Sequence, residues 1–111
     1  MTLDEKLLVP KVVFLEIQRE FVDKFFDAWD ARLLDKCFLY GKIALLMKEK
    51  ISGLPQLGEK YLSSMKKLND MVIGLGKVIE PAELAKLNEM AMEIFKGIEA
   101  GVEEGVEPFG I

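Results

Sequence analysis

The sequence predicts an all-α protein, an antiparallel four-helix bundle that associates with itself. Three observations lead there. The stretch Val12 to Leu34 holds no Gly and no Pro and carries five of the ten aromatic residues. The strongest breaks in the chain, Ser52-Gly53-Leu54-Pro55 and Glu80-Pro81, divide it into helix-length segments. Half of the residues are hydrophobic while 31% are charged. Apolar and charged residues therefore alternate with little neutral polar filler: one Thr, three Ser, two Asn and two Gln. A chain of 111 residues with that apolar content builds a core as one domain, without disulfides or a structural metal. The Lys- and Glu-rich surface resembles hyperthermophile usage, so a thermophilic source is one expectation.

The first helix is expected from about Lys11, with Pro10 at or just before its first turn. Residues 1–9 are expected as a separate short turn that ends before Pro10, capped by Thr2 or Asp4. At about 100° per residue, Phe14, Leu15, Ile17, Phe21, Phe25 and Trp29 share an apolar arc with Val22, Phe26, Ala28 and Leu33. That arc covers about 180°, broad enough to demand more than one neighbour. Glu16, Glu20, Asp23, Asp27 and Asp30 form the opposite stripe.

No Gly or Pro follows until Gly41, so residues 11–51 could be one helix on pattern alone. Continuing the frame would carry Leu34, Phe38 and Leu45 onto the acidic stripe, which places a hairpin between Ala31 and Asp35, with Asp30 or Asp35 capping the next helix. An unbroken helix would instead need a second copy to cover it. The second helix, about Asp35 to Ile51, is apolar nearly all round, as in the middle of a bundle or at a subunit interface. Cys37, Gly41 and Ala44 make a strip of small residues along it, suited to close approach of another helix and, in one reading, to a dimer seam.

The third helix is expected over about Pro55 to Val78, with Tyr61, Met65, Leu68, Val72, Leu75 and Ile79 on one face and a weak end at Gly74 and Gly76. The fourth opens at Pro81 with Glu83 in its first turn, and Ile79 and Leu84 are placed as a hydrophobic staple. Leu84, Leu87, Ala91, Ile94, Phe95 and Ile98 are expected inward, with Met90 beside them. The helical domain is set at residues 1–101, and residues 102–111 are expected as a flexible tail, acidic yet ending on Phe109 and Ile111.

Composition excludes several chemistries. There is no His and only one Cys, Cys37, so a carboxylate–histidine di-metal site and a zinc site lack their ligands, and no internal disulfide can form. No metal or other cofactor is expected. The carboxylates of the first helix lie opposite its apolar face, where a pocket is not expected, and no enzyme is predicted. Charge divides along the chain as −2 over residues 1–34, +4 over 35–79 and −6 over 80–111. With Arg19 and Arg32 the only arginines, nucleic-acid binding is not expected. No run of 18 apolar residues exists for a membrane span, the opening MTLDEKLLVP does not look like a secretory leader, and a cytoplasmic location is expected.

The function expected is non-enzymatic: an interaction or assembly protein, homo-oligomeric, with room for a protein partner. The residues expected at its contacts are Phe14, Gln18, Phe21, Phe25 and Trp29 of the first helix, Gly41 of the second, and Phe109 and Ile111 of the tail. Gln18 is singled out because an amide on an apolar face must be satisfied and can then fix pairing register. The alternative is a carrier or sensor of an apolar small molecule in the bundle core, its methionines supplying an adaptable lining. From Leu68 onward, the run Leu68-Asn69-Asp70-Met71-Val72, a following helix and the ending Glu107-Pro108-Phe109-Gly110-Ile111 resemble a family of small helical proteins of unassigned function. Members of that family are often encoded beside formate dehydrogenase or heterodisulfide-reductase-like subunits. The resemblance implies a non-catalytic accessory subunit of a redox complex and brings no active-site residue with it.

Overall fold

A computed structural model describes residues 3–54 and 57–103, with side chains from Pro10 onward. These residues form helices and turns, with no strand among them: α1 (Leu3–Asp30), α2 (Leu34–Leu46), the single turn α3 (Lys48–Ile51), α4 (Glu59–Val78) and α5 (Pro81–Glu103). The protein is all-α.

α1 is one helix of 28 residues with Pro10 inside it, not a separate turn followed by a helix. Proline removes one backbone donor, so the lead-in lacks a bond that the rest of the helix has. Val12 and Val13 are half-buried, Phe14, Leu15 and Ile17 are buried, and the Lys11 Nζ donates to the Ser52 carbonyl at 2.6 Å. The buried face is also narrower than the predicted arc: Phe26 is 41% exposed and Leu33 47%.

α1 does break where predicted, at Ala31–Leu33. Arg32 takes the left-handed conformation, with φ 60°. The Leu33 N–H donates to Ala28 O at 2.9 Å and the Arg32 N–H to Trp29 O at 3.1 Å. This is the Schellman arrangement, in which a left-handed residue turns the last amides back onto orphan carbonyls. Neither predicted cap residue acts as one. α2 is capped by Leu33 without a side-chain hydrogen bond, and Asp35 lies in its first turn, where its charge favours the helix N-terminus. The second segment is interrupted once, at Met47, whose N–H is shared between Ile43 O and Ala44 O at 3.3 Å each before α3 adds one more turn.

α2 is the hub of the structure. It packs against α1, α3, α4 and α5, which accounts for its all-round apolarity within a single chain. α4 and α5 each pack on α2 and do not pack along one another. The strip Cys37, Gly41 and Ala44 is buried inside this arrangement. A β-carbon at Gly41 would stand 2.6 Å from Val72 Cγ2 of α4 and 2.8 Å from the Phe25 ring of α1. Glycine there lets both neighbours close on α2 at one level.

α4 starts at Glu59, later than predicted, after a turn in which Gly53 has φ 92° and Leu54 is buried. Pro55 lies outside the described residues. Gly74 and Gly76 stay within α4, which ends at Val78. α5 opens at Pro81 as predicted, with the Leu84 N–H on Glu80 O at 2.8 Å. It continues through Gly97 and Gly101 to Glu103 with Val102 buried, so Val102 belongs to the core and not to the tail.

Candidate functional site

The residues singled out from the sequence divide into an interior group and a remainder. Phe14, Phe21 and Phe25 are 3%, 6% and 0% exposed, and Gly41 is buried beneath Val72 and Phe25. In this conformation they touch the protein's own helices and present nothing to a partner. Trp29 is half-buried beside Phe25, with ring centroids 6.2 Å apart. Phe109 and Ile111 lie outside the described residues.

Gln18 has a specific job in the interior. It is 1% exposed, and its Nε2 donates to Ala44 O at the end of α2 at 2.9 Å. Its Oε1 accepts from the Tyr61 hydroxyl of α4 at 2.9 Å. One amide therefore ties α1, α2 and α4 together, and burial without those partners would cost about 1–3 kcal/mol. No buried side-chain nitrogen or oxygen among the described residues lacks a partner. Burial raises the Tyr61 pKa, and the hydrogen bond to Gln18 opposes that shift.

Above this pair lies a cleft of about 840 Å³ between α1 and the start of α4, lined by Arg19, Val22, Asp23, Glu59, Lys60 and Met65. It is open to solvent and mixes both signs of charge with apolar walls. Ala44 O and the Tyr61 hydroxyl already occupy the two ends of the Gln18 amide at its floor, leaving no buried polar group aimed at a ligand.

The groups with intrinsic reactivity are placed as structure. Cys37 is fully buried, its thiol donates to Phe25 O at 3.4 Å, and desolvation raises its pKa to about 11. A thiol held protonated and out of solvent is a poor nucleophile. Glu16, Glu20, Asp23, Asp27 and Asp30 are all exposed on α1. No group of three or more His, Cys, Asp or Glu among the described residues is placed to hold a metal. Lys50 binds Glu99 at 2.5 Å and Glu103 at 3.3 Å, clamping α3 to the end of α5. Its pKa is raised, first by the Glu99 hydrogen bond, with desolvation opposing and the Glu103 hydrogen bond adding to the rise.

What the described surface offers is apolar. Leu62 of α4 is 55% exposed, Ile73 51% and Val78 69%; Met90, Met92 and Ile94 of α5 are 38–46% exposed. A second group, Phe26, Leu33 and Leu34, surrounds the α1–α2 turn. The inward placement predicted for Ile94 is therefore not what α5 adopts, and Met90, expected beside the inward row, is exposed with it. Ile94 sits one step off the row Leu87, Ala91, Phe95, Ile98 and Val102 that reaches the core. Isolated exposed apolar residues are ordinary, but rows of them on neighbouring helices mark contact surfaces. No described helix is long and apolar enough to cross a membrane. No family model, curated protein or solved structure matches the chain.

Proposed function

We propose that this protein is a non-enzymatic helical interaction or assembly module, cytoplasmic and homo-oligomeric, that serves as an accessory subunit of a larger complex. The observation that carries this reading is the set of large apolar side chains exposed on α4 and α5. An enzyme concentrates perturbed, convergent groups in a cleft. Here the perturbed groups are a buried thiol, a half-buried phenol hydrogen-bonded to an amide, and a surface clamp. The likeness of the segment from Leu68 onward to small proteins encoded beside redox-complex subunits supports the accessory role, and on that reading the larger complex is a redox assembly. The carrier reading has less support, because the clefts lined by described residues open to solvent and the innermost side chains fill the core.

The test is sedimentation and native mass spectrometry of the purified full chain at tens of micromolar. A mass of two or more chains, free of small molecules, is expected. A strict monomer removes the homo-oligomer, and a monomer that retains a stoichiometric apolar compound replaces this reading with the carrier.

A further inference from the structure

The self-association just proposed has a particular face. α4 carries four lysines against two acids, and α5 carries five glutamates against two lysines. The two helices are opposite in charge and both expose apolar side chains, yet they do not pack along one another. Among the described residues the ion pairs are those of Lys50 alone, so the α4 lysines and Glu83, Glu89 and Glu93 of α5 have no ionic partner there.

The local patterns match. On α4, Leu62, Lys66, Asn69, Ile73 and Lys77 follow at spacings of four, three, four and four, which makes one strip beside the buried face. On α5, the run Glu89 to Ile94 exposes every residue except Ala91, alternating carboxylates with Met90, Met92 and Ile94. Each helix has the charge that the other lacks beside exposed apolar side chains of its own, and the fold holds the two apart within one molecule.

We propose that a second copy of this chain supplies the contact: α4 of one protomer lies on α5 of its partner, and α5 on the partner's α4, about a twofold axis. Self-complementarity is what a twofold interface requires of a single surface. A stable interface needs about 800 Å² per partner, and two helix pairs of about 30 Å each are long enough to provide it. The lysine–glutamate pairs then set which helix meets which, and the apolar residues supply the adhesion.

This inference rests on the homo-oligomer of the proposed function, and charge exchange in the full chain tests it separately. The wild type should be a dimer by sedimentation. K66E/K77E and E89K/E93K, all at exposed positions, should each keep the helical circular dichroism spectrum and each weaken the dimer about tenfold or more. Mixing the two variants should restore a dimer, because each then offers the charge that the other has lost. The chain carrying all four substitutions should also dimerise. If the wild type dimerises but is indifferent to either reversal, or the mixture stays dissociated, the α4–α5 face is wrong while the homo-oligomer stands. A monomeric wild type overturns both.

Discussion

Gly41 shows how one missing methyl group can decide a core. Its would-be β-carbon meets Val72 and Phe25, which are 5% and 0% exposed and have nowhere to move. Gly41→Ala gains about 1 kcal/mol in helix propensity. It should nonetheless lose stability, because overpacking a filled core costs about 1–3 kcal/mol. Urea denaturation is expected to show a net loss of up to about 2 kcal/mol, and a midpoint at or above wild type would show that the core yields. The small-residue strip was visible in the sequence, but its occupant was not. A spacing of four and three says that something approaches closely, while only the fold says that it is α1 and α4 of the same chain. Gln18 is similar. Its place on an apolar face announced a satisfied amide, yet Ala44 and Tyr61 lie 26 and 43 residues away and no local pattern points to them.

At the scale of elements, the legible features were those set by periodicity, and the missed ones were set by backbone hydrogen bonding. The hairpin at Ala31–Leu33 was detectable because Leu34 and Phe38 fall out of phase with α1. Its closing residue was not, since Arg32 replaces the glycine that usually marks such a stop. A left-handed non-glycine residue costs about 1–2 kcal/mol. Two recovered backbone bonds at about 1 kcal/mol each offset that cost. Arg32→Gly should therefore stabilise the protein by about 0.5–1 kcal/mol, after the greater freedom of glycine in the unfolded chain is deducted. Thermal unfolding followed by circular dichroism checks this, and a lower midpoint would mean that the guanidinium makes a contact worth more than the strain. At Pro10 the sequence marked the start of the helix incorrectly. A proline weakens a helix without obliging it to begin there.

At the scale of the molecule, the all-α class was readable from composition and spacing, and the hub was foreshadowed by the uniform apolarity of α2. The outward turn of Ile94 and Met90 was not readable. A helix with apolar residues on three sides does not declare which side the core takes. The arrangement around α2 also predicts a hierarchy of motion. α4 or α5 can loosen while the rest holds, but α2 is freed only when its neighbours leave it. Native-state hydrogen exchange should find the slowest amides over Phe38–Ala44, exchanging only by global unfolding, and faster exchange across α4 and α5. Slower exchange in α4 than in α2 would contradict the hub.

The position of α2 has a consequence for synthesis as well. The spine of this fold precedes in the chain the helices that sheathe two of its sides, Glu59–Val78 and Pro81–Glu103, and is made before them. While the chain is being translated, the α1–α2 hairpin emerges with faces such as Ile43 and Leu39 wet and adhesive. For that interval the nascent chain is a client for whatever in the cell shields apolar surface, and it ceases to be one when α4 and α5 arrive.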